Sequence, residues 1–242
     1  MPRNALLFSS WLAEKGIDRK EQSLYVRSGW LERIAQGVYK FSGAEPTAYS
    51  AVASYASQLK KNCHVAASSA LDLRGYSHFV AMGKQTVCLM SDDNAKIPSW
   101  MLETEWDMTI KHSISTIFGK TGLGIEIIAV DGQDLPVSSP ERAFMECLSM
   151  APSQYSLMDA YYIMEMLTTL RPKLVQQLLE ACTSIKVKRL FLYMSEKAGH
   201  SWFKALDLEK IHLGSGQRFL SDRGRYIVKY QITIPKELAD YE

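Results

Sequence analysis

Apolar and polar positions over the first forty residues fall in the order helix, turn, helix, hairpin. Leu7, Phe8, Trp11 and Leu12 stand at i, i+1, i+4 and i+5, which predicts one apolar face on a short helix. Lys15, Gly16 and Ile17 end it with a cation, a glycine able to take positive φ and an apolar residue beyond. Asp18 opens a second helix, with Glu21 three residues on in a capping-box arrangement. So tight a turn makes the two helices cross steeply. The second helix sets Lys20, Ser23 and Arg27 on one stripe and Arg19 and Gln22 on the next, with Leu24 and Tyr25 expected to pack behind. Gly29 closes it. Two β-prone runs, 30–34 and 38–41, then flank Ala35-Gln36-Gly37, a short hairpin connection. This is the order of a winged helix-turn-helix, whose second helix has the width of the DNA major groove. Arg33 and Lys40 sit beside the hairpin turn, within reach of phosphates. A helical cap whose charges merely face solvent has the same pattern.

Beyond the turn-rich break at 42–46, Thr47 to Leu59 reads as an alanine- and serine-rich helix suited to close packing, and Val65 to Leu73 as a second. Val87 and Leu89 alternate within a strand at 84–90, and Leu123 to Val130 reads as a buried strand. Ser139 and Pro140 start a helix with Ala143, Phe144, Cys147 and Leu148 on its apolar face. Further helices are expected at 159–170, from Pro172, and from 185 to a stop at Gly199. Tyr226 to Ile234 alternates with a period of two over nine residues, which predicts one long strand. The expectation is an α+β chain: a winged helix-turn-helix at 1–62, with a boundary as late as about 97, then a domain of helices and mostly antiparallel strands to 242.

A chain of 242 residues has material for one or two domains. No run approaches 18 apolar residues, and the first residues lack the hydrophobic stretch of a signal peptide, so a cytoplasmic protein is expected. Cys63, Cys88, Cys147 and Cys182 are scattered and read as reduced core residues. Net charge is only +2, but it is unevenly spread. Residues 1–41 hold seven Lys/Arg against four Asp/Glu, residues 42–182 ten against fifteen, and residues 183–230 ten against four. Local positive density governs attraction to phosphate. The modest N-terminal excess predicts weak binding by one copy and the need for a weak dimer or cooperative loading on DNA.

Catalytic chemistry is nearly absent. Gly119-Lys120-Thr121-Gly122 matches the end of a phosphate-binding loop, but position 114 is Ile and a strand is expected to follow. Gly214-Ser215-Gly216-Gln217-Arg218 reads as a glycine-rich turn before a strand. His64, His78, His112, His200 and His212 have no partner at metal spacing, and no serine lies in a nucleophile elbow. Glu103, Glu105 and Asp107 read as a solvated face rather than a cation site. Neither a metal nor a cofactor is expected.

The run 28–39, Ser-Gly-Trp-Leu-Glu-Arg-Ile-Ala-Gln-Gly-Val-Tyr, resembles the N-terminal domain of AbiEi-type antitoxins. The likeness continues through 68–76, 138–143, 170–172 and 186–192, and so covers nearly the whole chain. The resemblance implies a repressor-antitoxin of a bacterial type IV toxin–antitoxin system, of the kind used in abortive infection and phage resistance. It implies repression of its own operon at operator DNA with inverted repeats, through the N-terminal domain. It also implies a C-terminal domain that counters an AbiEii-type nucleotidyltransferase toxin without forming a stable complex. Only two helices fit before Trp30, so 47–59 is the candidate for a third.

Two other classes stay open: a transcription factor with a ligand-sensing C-terminal domain, and a DNA-targeted nuclease. The latter would need clustered carboxylates followed closely by a lysine, and no strand ends that way. The candidate DNA contacts are Arg19, Lys20, Gln22, Ser23, Arg27, Arg33 and Lys40. Residues from about 98 onward are expected to suffice for antitoxin activity, with Lys186, Lys188, Arg189, Arg218 and Lys229 forming a basic patch for nucleic acid.

Overall fold

Strand and helix signals resolve, in chain order, into β1 (Leu7–Phe8), α1 (Ser9–Glu14), α2 (Arg19–Arg27), β2 (Leu31–Ala35), β3 (Val38–Phe41), α3 (Ala48–Gln58), β4 (Cys63–Val65) and α4 (Ala67–Asp72). There follow β5 (Thr86–Ser91), α5 (Ser99–Glu103), β6 (Thr109–Ile114), β7 (Ile125–Val130), β8 (Gln133–Ser138), α6 (Pro140–Met150) and α7 (Leu157–Met166). The chain ends with α8 (Pro172–Ala181), α9 (Ile185–Lys197), β9 (Arg218–Phe219), β10 (Arg225–Ile227), β11 (Ile232–Ile234) and α10 (Lys236–Asp240). The structure is a computed structural model and describes residues 1–76, 83–91, 96–119 and 121–241; His78 and Lys120 lie outside the described residues. The chain is α+β, and its contacts divide it into two compact units.

The first unit comprises Met1–Val65, Ala81–Ile114 and Glu126–Val137. Its winged helix is built on a three-stranded sheet of order β1-β3-β2. Leu7 and Phe8, expected in the first helix, instead form β1 and pair with Tyr39 and Val38. Leu7 packs with Trp11 and Leu12, while Phe8, the next residue of the strand, faces Tyr55 and Trp100; both faces are apolar, so the spacing 7, 8, 11, 12 could not separate strand from helix. Leu7, Leu12, Leu31 and Tyr39 form the core, with Trp11, Ile17, Val26 and Phe41 packed against it.

Helix α3 is the third helix. Its four alanines, Ser50 and Ser54 are buried, as close packing requires, and Ser57 is exposed. Ser54 Oγ accepts from the Leu6 amide at 3.0 Å, while the Gln58 amide accepts from Phe8 N–H at 3.1 Å and donates to the Leu6 carbonyl at 2.6 Å. Two side chains of α3 thereby satisfy backbone groups beside β1 that would otherwise be buried unpaired. Asp107, weighed above with Glu103 and Glu105, accepts from the Ala48 amide at 2.7 Å and so caps the start of α3.

A five-stranded sheet completes this unit, in the order β6-β5-β4-β8-β7. Strand β4 runs antiparallel to β5 and parallel to β8, and β5 runs parallel to β6, so the sheet is mixed rather than mostly antiparallel. Cys63–Val65 was too short to carry a period, and Val65 was expected to begin a helix; the helix begins at Ala67. Strands from either side of residue 97 share this sheet.

The second unit comprises Ala66–Val80, Ser115–Ile125 and Ser138–Glu242. Ser139 caps α6 and Pro140 occupies its first turn, as expected. Next to them lies a buried polar cluster. Arg142 pairs with Glu146 at 2.8 Å and donates to the Leu123 carbonyl, and Glu146 also accepts from Ser138 Oγ and the Ala67 amide. Gly124 has φ +72, which favours glycine, and a Cβ there would stand a tight 3.1 Å from the Arg142 Cβ. The expected nine-residue strand at 226–234 is instead two strands, β10 and β11, paired antiparallel. A 3-10 turn at Val228–Tyr230 and Gln231 at φ +50 separate them. Tyr230, Ile232 and Ile234 are buried, but Tyr226 and Val228, expected on the same side, are 43% and 75% exposed, and Thr233, expected opposite, is buried, so neither the strand nor its alternation holds through the bend.

Candidate nucleic-acid interface

Local signals position α2. Asp18 Oδ1 accepts from the Lys20 and Glu21 amides at 2.7 and 2.9 Å, and Glu21 accepts from the Asp18 amide at 2.9 Å. This reciprocal cap satisfies orphan donors at the helix start. Gly16, at φ +88, and Gly29, at φ +74, make the turns on either side.

Gln22 is the main correction to the expected contact set. It is only 1% exposed. Its amide donates to the Ser9 and Ile17 carbonyls at 3.2 and 2.9 Å and accepts from Ser9 Oγ at 2.7 Å. Gln22 thus ties α2 to the start of α1 and to the intervening turn, and its hydrogen-bonding groups are turned away from any groove. Leu24 and Tyr25 are corrected in the opposite sense: expected behind the helix, they are 60% and 38% exposed, and Val26 packs inward instead.

Arg19, Lys20, Ser23 and Arg27 are all exposed along the same helix. Ser23 Oγ donates to the Arg19 carbonyl at 2.9 Å and keeps acceptor capacity. The wing turns at Gly37, φ +71, whose carbonyl accepts from the Ser9 amide at 2.8 Å. Arg33 is exposed, with its guanidinium 5.9 Å from the centre of the Tyr39 ring. Lys40 is committed at the base of the wing: it donates to the Ala44 carbonyl at 2.9 Å and pairs with Glu32 at 3.2 Å. Glu32 also accepts from the Gly43 amide at 3.0 Å and Ser42 Oγ at 2.8 Å. The Gly43 amide, the Ser42 hydroxyl and Lys40 together hold the Glu32 carboxyl down at about 2.

The C-terminal cations do not form the expected patch. Lys188 and Arg189 are 4% and 1% exposed. Lys188 donates to the His212 carbonyl at 3.2 Å, and Lys186 donates to the Ser149 and Ala151 carbonyls at 2.8 and 2.5 Å. Burial lowers the Lys186 pKa. Arg189 donates to the carbonyls of Leu213, Gly214, Gly216 and Gln231 and to the Gln231 side chain. The loop read as a glycine-rich turn is therefore wrapped around a guanidinium. Lys229 pairs with Glu196, and Arg218 donates to the Gln217 carbonyl at 3.2 Å. The reason is stoichiometric: a bending chain offers many unpaired carbonyls, and long cationic side chains supply donors to them.

Among the described residues no group of three or more His, Cys, Asp or Glu is placed to hold a metal. Burial pushes the Cys63 thiol up to about 12, far from a reactive thiolate. No helix among the described residues is long and apolar enough to cross a membrane.

Comparison with curated proteins gives no match. In fold, the chain is similar to the crystal structure of RV2827C protein from Mycobacterium tuberculosis, with a TM-score of 0.62 at 15% identity over 94% of this chain and 85% of that one. Residues 1–82 match the family model described as transcriptional regulator, AbiEi antitoxin N-terminal domain. Residues 84–235 match the model described as transcriptional regulator, AbiEi antitoxin, type IV TA system. With both halves of the chain covered, the protein belongs to the AbiEi antitoxin family, the transcriptional regulators of type IV toxin–antitoxin systems.

Proposed function

We propose that this protein represses its own toxin–antitoxin operon by laying α2 in the major groove of operator DNA, and that it counters a co-encoded AbiEii-type nucleotidyltransferase toxin in the cytoplasm. The observation that carries this reading is the outward face of α2. Arg19, Lys20, Ser23 and Arg27 are exposed together on a helix held from behind by Gln22. Arg19, Lys20, Ser23, Arg27 and the wing's Arg33 are the candidate DNA contacts, with Lys20, Arg27 and Arg33 directed to phosphates. Lys40 stiffens the wing through Glu32. DNA binding is assigned to 1–62, extending no further than about 97, and antitoxin activity to the remainder, without a stable complex with the toxin. Few cations contribute, so useful affinity comes from a monomer or weak dimer loading cooperatively on inverted repeats.

The test uses the full chain and DNA from upstream of its own gene. Lys20→Ala/Arg27→Ala is expected to lower the log–log salt slope by about 2, one released counterion equivalent per lost phosphate contact. An unchanged slope would remove α2 from the interface. When co-expressed with the toxin, the same variant should relieve repression of a promoter reporter while still restoring growth. Loss of growth rescue would show that neutralisation depends on DNA binding.

A further inference from the structure

Leu24 lies where an internal helix position should be polar. Successive residues of an α-helix are about 100° apart, so Leu24 is about 200° from both Gln22, two residues before, and Val26, two residues after. Those two residues define the inward side of α2: Gln22 is buried, and Val26 packs on the core. Leu24 therefore points almost straight outward, and it is 60% exposed. Lys20 and Arg27, four residues before and three after, stand beside it on one flank. Glu21 and Ser28 stand on the other. The Glu21 carboxylate is held by the Asp18 amide, and the Ser28 hydroxyl donates to the Tyr25 carbonyl. At the centre of the outward face, then, is a branched apolar side chain with cations to one side.

We propose that Leu24 is a specificity-determining residue that contacts the 5-methyl group of a thymine in the major groove. The proposal rests on the reading of α2 as the groove-entering helix. In a helix seated in the groove, the residue pointing straight out faces the base edges, while long flanking cations extend sideways to the phosphate walls. The thymine methyl is the one apolar group that base pairs present there. A leucine over any other base edge would strip water from a donor or acceptor and return no hydrogen bond, so it rejects those bases as well as favouring thymine.

Replacing thymine by uracil deletes that methyl and leaves every hydrogen-bonding group of the base in place. Duplexes bound by the full chain are selected from a random pool, and each thymine in the selected sequence is then exchanged singly for uracil. The wild type should lose about fourfold in affinity at one position per half-site, the worth of one buried methyl. Leu24→Ala should lose about as much on the thymine duplex and show no further loss with uracil. Its urea midpoint should be unchanged, because the side chain is exposed and alanine suits a helix. Leu24→Ala that keeps the wild-type thymine-to-uracil ratio overturns the proposal. If Lys20→Ala/Arg27→Ala lowers the salt slope in that case, the helix assignment stands without Leu24. If the slope is also unchanged, both fall together.

Discussion

Helices α2 and α9 look alike in sequence and use their charges in opposite ways. One carries Arg19, Lys20 and Arg27; the other carries Lys186, Lys188, Arg189 and Lys197. On α2 all three cations are exposed. On α9 the four donate to backbone carbonyls, at Ser149 and Ala151, at His212, at the 213–216 loop with Gln231, and at Tyr241. In the denser cluster Lys188 and Arg189 are buried and Lys186 and Lys197 half-buried. Charge density along a helix thus says nothing of its target until the surrounding carbonyls are counted. A buried guanidinium is tolerable only if its five N–H donors are all satisfied, and Arg189 meets that condition with uncharged oxygens. Its role is to hold the bend between β10 and β11 and the loop before β9.

That contrast is sharpest at Arg189. Arg189→Ala leaves a shell of carbonyls without donors and is expected to cost about 3 kcal/mol of stability, read from the urea midpoint, while leaving the salt dependence of DNA binding unchanged. A variant as stable as the wild type but with a shallower salt slope would return Arg189 to a nucleic-acid surface and erase the distinction.

Gln22 probes the same distinction inside α2. Gln22→Ala removes the donor to two backbone carbonyls and should destabilise the winged helix by about 1–2 kcal/mol without changing which base pairs are preferred. Relaxed base preference at undiminished stability would place Gln22 in the groove instead.

The smallest effect is expected at the wing. The Glu32 carboxyl lies at about 2 rather than its ordinary 4.5, so its ionised form favours the native wing. That contribution is full above about 4.5 and disappears as pH falls from there toward 2. Glu32→Gln should flatten the pH dependence of stability in this interval and loosen Lys40. An identical acid unfolding profile in the variant would show that the strut contributes nothing.

Much of the candidate interface was legible because its signals are local. Asp18 with Glu21, Gly16 and Gly29 around α2, and Gly37 in the wing each act within a few residues, where backbone geometry allows few alternatives. The same holds for Ser139-Pro140 at the start of α6 and Gly199 after α9. On α2, Arg19, Lys20, Ser23 and Arg27 are exposed as expected, whereas Gln22 is buried and Leu24 and Tyr25 are exposed against expectation. Polarity fails there as a guide to exposure: a buried glutamine with three partners defeats it as surely as an exposed leucine does.

Sequence alone carried the α+β class, the order of elements in the winged helix and the caps that begin and end its helices, because caps and turns are decided by neighbours in the chain. Tertiary structure decided the rest. Leu7–Phe8 and Cys63–Val65 are strands only because distant strands supply their hydrogen bonds. Residues 225–234 bend because the chain there takes a turn whose Gln231 carbonyl accepts from Arg189. Whether a lysine or arginine faces water or a carbonyl depends on where remote loops deliver their unpaired oxygens, and no local pattern in the sequence encodes that position.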